Sequence, residues 1–184
     1  VYIDMDQSSI DTTIIYNNDD QMYYRYTKNE GGSTNSLGAK TKTVYVERCA
    51  TLLGEWEHIA SDSLNSNQWV EGPTIFQFNS QDTDGSSKWC LLVDNYGGGG
   101  YYPLVSDDLS SGVFTRPDSY KMPSRARHGT PIPVTQEEYD ALMAKWGTNI
   151  VQENTEDEEK DPVLSYDFEN TDGTTIKDVS GHNN

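Results

Sequence analysis

Apolar and polar positions alternate with a period of two through most of residues 1–134, in short runs separated by Asn, Asp, Gly and Ser clusters. The runs "DTTIIY" (11–16), "MYYRYTK" (22–28), "TVYVERC" (43–49) and "EWEHIA" (55–60) predict four consecutive strands. A second set follows as "GPTIFQF" (72–78), "KWCLLVDNY" (88–96), "YYPLVSD" (101–107) and "FTRPD" (114–118). The connectors "NNDDQ", "NSQDTDGSS" and "GGGG" are turn-rich and of hairpin length, so each set predicts an antiparallel sheet. The period then changes. In "PVTQEEYDALMAKWG", Tyr139, Leu142, Met143 and Trp146 recur at helical spacing, Thr135 and Glu138 stand in capping-box spacing, and Gly147 is the stop. A packing helix without chemistry is expected there. Beyond it, 149–162 reads as an acidic, solvated linker, and from Val163 a new alternating pattern begins and breaks off.

The two strand sets align with each other. "SSIDTTIIY" lies over "WVEGPTIFQF", which places Asp11 over Glu71, and "ATLLGEWEHI" lies over "DDLSSGVFTR". A third start, "ARHGTPIPV", puts His128 in the same slot, at spacings of 60 and 57 residues. Units of that length with about four strands each are the signature of β-propeller blades. The first strand of each blade lines the central axis, so Asp11, Glu71 and His128 are expected to converge on one pocket. The predicted fold is all-β: about two four-stranded blades of a five-bladed propeller, the start of a third, and one C-terminal helix. "VYIDMD" opens within an alternating pattern and "DVSGHNN" closes without a terminating element, which reads as a fragment.

Composition narrows the function. The chain of 184 residues is 34 % hydrophobic and its mean hydropathy is -0.77. It nevertheless carries 12 Tyr, 4 Trp and 4 Phe, so much of its apolar area comes from amphipathic rings suited to holding a polar, ring-shaped ligand. The net charge of -17 repels phosphate and anionic lipid headgroups alike, and no Lys/Arg cluster offsets it. Nucleic acid and membrane insertion are therefore not expected. Cys49 and Cys90 each lie in a strand-like run. Two buried free thiols are expected, with one structural disulfide as the alternative.

At "SSIDTTI", "VEGPTIF" and "ARHGT" the chain resembles the five-bladed β-propeller glycosidases of glycoside hydrolase family 43, over roughly residues 1–146. The resemblance implies domain bounds of 1–148 for the C-terminal part of the propeller. It makes 163–184 the start of a laminin-G-like (concanavalin-type) β-sandwich module, of a kind often fused to secreted glycosidases. It makes Glu71 the general acid, Asp11 the residue that orients this acid and raises its pKa, and His128 the axial histidine beside a metal ion, usually calcium, often through water. No organic cofactor is implied. An acid must hold its proton at working pH, so burial against Trp69–Val70 and a neighbouring carboxylate suit the role.

The family's aspartate general base has no counterpart: Asp4 and Asp6 read as part of an outer strand of a preceding blade. N-terminal blades are thus expected to be missing partners, and the chain alone to be inactive. The implied activity of the intact protein is inverting removal of terminal α-L-arabinofuranosyl groups from plant polysaccharide, outside a bacterial cell or on its surface. β-Xylosidase or β-galactosidase activity, or a propeller that binds carbohydrate without cleaving it, are the alternatives.

Other signals carry less. Tyr101 and Tyr102, with Trp69, supply either sugar-stacking faces or core rings. "YGGGGYY" (96–102) has no following helix to make a phosphate loop. "DTDGSS" (82–87) lacks the distal Glu of a calcium loop. His58 and His182 have no sequence partners and are expected at the surface.

Overall fold

The computed structural model describes residues 8–79, 88–123 and 126–147, together with the backbone of 166–167 and 177–178. It comprises two units, Val1–Ile132 and Pro133–Asn184. The predicted linker and nearly all of the predicted second module lie outside the described residues.

In the first unit, β1 (Ser9–Asn17), β2 (Met22–Asn29), β3 (Val44–Cys49) and β4 (Glu57–Ile59) form one antiparallel sheet in sequential order. β5 (Glu71–Gln77), β6 (Trp89–Asn95) and β7 (Gly100–Ser106) form a second. A one-turn helix, α1 (Asp62–Asn65), capped by Ser61, lies between them in sequence. Neither sheet closes into a barrel. The eighth expected strand is reduced to a single bridge, Val105 with Thr115. Pro117 explains this: it has no N–H to continue the ladder and restricts Arg116 before it. Pro131 and Pro133 act likewise on the third predicted start, and 126–132 forms no strand.

Strand alternation places the core. Tyr24 and Tyr26 of β2 and Val44 and Val46 of β3 face Ile75, Trp89, Leu91, Val93, Tyr102 and Leu104 of the second sheet, all buried. The opposite face of the second sheet buries Cys90, Leu92 and Tyr101 beneath Phe76, Phe78, Met122 and Ala126. Both cysteines are buried free thiols, and burial pushes the Cys90 thiol up to about 12. On the outer face of the first sheet, Arg25 donates to both carboxylate oxygens of the buried Glu47 at 2.7 and 2.9 Å. His58, expected at the surface, sits half-buried in β4 with its ring 6.5 Å from that of Tyr45.

In the second unit, α2 (Gln136–Trp146) begins at the expected capping box: Thr135 accepts from the Glu138 N–H, and the Glu138 side chain accepts from the Thr135 N–H. Its role as a packing helix is not met. No residue of it is buried, and Tyr139, Leu142 and Trp146 stand exposed. The same unit adds the two-residue strands β8 (Tyr166–Asp167) and β9 (Lys177–Asp178), paired antiparallel. No helix among the described residues is long and apolar enough to cross a membrane.

Candidate functional site

Both sheets start with the same irregularity. In β1 the register with β2 slips between Ile10 and Thr13, and in β5 the register with β6 slips between Glu71 and Thr74. Each slip inserts one extra residue, a β-bulge that re-aims the side chains around it. At the bulge the backbone turns left-handed, with φ of 55° at Asp11 and 52° at Gly72. His128, in the third segment, shares this signature with φ of 48°. The repeat therefore reads Asp11-Thr12-Thr13, Gly72-Pro73-Thr74, His128-Gly129-Thr130. This corrects the sequence alignment by one position. Asp11 corresponds to Gly72, and Glu71, one residue earlier, corresponds to Ile10 and Arg127. A bulge residue leaves no trace in apolar-polar alternation, so the slip was invisible there.

The three triplets surround one open pocket of about 200 Å³, lined by residues 11–13, 72–74 and 128–130 and by Tyr101. Three contacts hold them together. The Gly72 N–H donates to Asp11 Oδ2 at 3.1 Å, the Thr74 hydroxyl to the Gly129 carbonyl at 2.8 Å, and the Tyr101 hydroxyl to the Gly72 carbonyl at 3.0 Å. Gly72 is required for two reasons. Its φ is one that L side chains seldom adopt, and a Cβ there would come within 2.9 Å of His128 Nδ1.

Asp11, Glu71 and His128, the three residues expected to converge, each place a ligand-type atom within 4.8 Å of the others. Glu71 is also the centre of an ion-pair ladder. Its Oε2 meets Lys28 Nζ at 3.0 Å, and its Oε1 meets Arg127 at 3.0 Å and His128 Nε2 at 3.1 Å. Lys28 continues to Glu30 at 2.8 Å, and Glu30 to Lys42 at 2.8 Å. Arg127 continues to Asp94 at 2.7 Å. Charges thus alternate from Lys42 through Glu30, Lys28, Glu71 and Arg127 to Asp94.

The electrostatic consequence runs against the expectation for an acid. Burial pushes the Glu71 carboxyl up, but Lys28 and His128 more than offset it and hold the group below the usual glutamate range. Burial disfavours the Lys28 ammonium, yet Glu30 and Glu71 raise its pKa overall. A depressed carboxyl stabilises the folded state above its ordinary pKa and loses that contribution as pH falls through the folded value. Glu71 therefore helps hold the site together at neutral pH and ceases to do so only in acid, below the ordinary glutamate range.

Two carboxylates and an imidazole are metal-binding types, but Glu71 is committed on both oxygens to cations. Calcium takes six to eight oxygen ligands, more than these three side chains supply by themselves.

The expected aromatic residues separate. Trp69 is 58 % exposed in left-handed backbone, and its ring lies edge-on to Tyr96. Tyr101 is buried, with its hydroxyl at the pocket. Tyr102 lies in the core, its hydroxyl on Asn67 and the Arg116 guanidinium over its ring. Successive strand residues point to opposite faces, so Tyr101 and Tyr102 do not form one platform.

Lys28, Arg127 and Asp94 were missed, although two left a signal. Lys28 continues the core-facing parity of Tyr24 and Tyr26, and Asp94 that of Cys90 and Leu92. A charge at the end of an apolar face, where it must find a partner, marks a site.

The family described as "probable glycosyl hydrolase domain", related to glycoside hydrolase family 43, matches residues 1–140. No curated protein and no solved structure matches the chain. With three quarters of its length inside that match and its bulged strand starts gathered at one pocket, the chain belongs to this glycosyl hydrolase-related family.

Proposed function

We propose that this domain supplies the acid side of an inverting glycosidase site, in two successive blades and the start of a third, acting on terminal α-L-arabinofuranosyl groups of plant polysaccharide outside the cell. One observation carries the proposal: Asp11, Glu71 and His128, from three separate segments, meet within 4.8 Å beside an open pocket. In this reading Glu71 protonates the leaving glycosidic oxygen. Asp11 braces the turn that carries Glu71 through its bond to the Gly72 N–H. Asp11 lies too close to Glu71 to be the base, since an inverting pair stands roughly 6.5–9.5 Å apart to admit water. The base comes from outside the described residues.

Glu71 is ionised at rest and must gain a proton to act. Arg127 and His128 are 48 and 47 % exposed on their side chains; Arg127 is also held by the buried Asp94 at 2.7 Å, so in this reading His128 is the contact that substrate displaces from Oε1. Its departure, with the exclusion of water, removes one of the two groups that hold the carboxyl down and lets burial weigh more against Lys28.

A second reading is favoured by the same clamp. A glutamate kept as a carboxylate is a hydrogen-bond acceptor for sugar hydroxyls, as a propeller that binds carbohydrate without cleaving it requires.

The test is an assay of the intact protein and Glu71→Gln on aryl α-L-arabinofuranosides, β-xylosides and β-galactosides, with the product anomer followed by NMR. Activity on one sugar with inversion, lost by about 10²–10⁴-fold in the variant, is the expected result. Binding without turnover in the wild type selects the second reading.

A further inference from the structure

Glu71 is held by two different kinds of cation. Lys28 is 3 % exposed on its side chain. Its ammonium is fixed on three sides, by Glu71 at 3.0 Å, by Glu30 at 2.8 Å and by the ring of Tyr96 at 4.5 Å. Glu30 is in turn tied by Lys42, whose own ammonium also donates to the Glu30 carbonyl at 2.7 Å. Behind them Asn29 organises the loop, donating to the carbonyls of Ser33, Ala39 and Lys40 and accepting from the Gly31 N–H. Arg127 and His128 are about half exposed instead. Of the two, Arg127 is anchored through Asp94, which is fully buried and has its second oxygen, Oδ1, without a hydrogen-bond partner.

We infer that Lys28 is the fixed positioning residue of Glu71, whereas His128 is the releasable contact on its other oxygen and Arg127 stays tied to Asp94. Lys28 holds Oε2 and so leaves Oε1 as the oxygen that faces the ligand once His128 moves. The two carboxylate oxygens are thereby made inequivalent. Lys28 touches no substrate in this account and acts through Glu71. For catalysis the inference rests on Glu71 as the acid; the claim that Lys28 fixes Glu71 is independent of it.

Lys28→Met, Lys28→Arg and Arg127→Met are compared in the intact protein, each by crystal structure and by kcat and KM on the sugar that the wild type cleaves. In Lys28→Met the Glu71 carboxylate is expected to leave its place, with kcat falling about 10–100-fold and KM changing less than about threefold. Lys28→Arg is expected to restore part of kcat. In Arg127→Met Glu71 is expected to stay on Lys28, with the larger effect on KM. Glu71 unmoved in Lys28→Met, or displaced in Arg127→Met, overturns the inference. If Lys28→Met does not fold, the Arg127→Met structure decides alone. If Glu71→Gln leaves turnover intact, the acid reading fails while the crystal structures still decide whether Lys28 is the anchor.

Discussion

Three residues turn left-handed at equivalent places, and two of them, Asp11 and His128, bear side chains for which that backbone is uncomfortable. Strain of this kind persists where the surroundings over-determine it, and here it aims the side chains at the pocket. The third, Gly72, is the one at which a side chain is sterically refused. Replacing it by alanine places a Cβ within 3.0 Å of His128 Cε1 and adds about 1–2 kcal/mol of backbone strain. The expected outcome for Gly72→Ala is a lowered Tm and a crystal structure with the His128 ring displaced and its 3.1 Å contact to Glu71 broken. An unmoved ring contradicts the close-packing argument. That Asp11, Glu71 and His128 lie together was legible from their near-regular spacing, although Glu71 stands one residue before the position equivalent to the other two. Arg127 was not legible, because it lies outside any strand and one residue before the matched position; Lys28 showed only as a charge on the core-facing parity of Tyr24 and Tyr26.

At the scale of elements, strand period placed seven of the eight expected strands, and the one that failed was the one with Pro117 inside it. Propensity and alternation describe local backbone, and a proline overrules both by removing a donor. The helix shows the converse. Its capping box was legible to the residue because a cap is local, whereas the burial of its apolar stripe depends on a partner that alternation along the helix cannot name. β6 is the strand on which most depends: Trp89, Leu91 and Val93 face one core, and Cys90 and Leu92 the other. Leu91 is fully buried, so Leu91→Ala should destabilise the domain by about 2–5 kcal/mol in urea unfolding. A loss under 1 kcal/mol would mean that the two sheets do not share this core.

The whole molecule is strongly acidic, but most carboxylates of its candidate site are paired with cations. Against a net charge of -17, the ladder from Lys42 to Asp94 sets three cations against three carboxylates, neutral as a unit. An uncompensated carboxylate pair at that position would repel, whereas the ladder lets Asp11 and Glu71 approach each other. Membership of a glycosyl hydrolase-related family and the convergence of three segments on one pocket agree at this scale. Glycosidase action at this site requires Glu71 to donate a proton to the leaving group. Its most direct test is the leaving-group dependence of Glu71→Ala in the intact protein, on dinitrophenyl and alkyl glycosides of the sugar it cleaves. A loss of about 10²–10⁴-fold on the alkyl glycoside, with near wild-type rates on the dinitrophenyl glycoside that needs no acid, is the predicted result. Equal losses on both would contradict an acid role for Glu71.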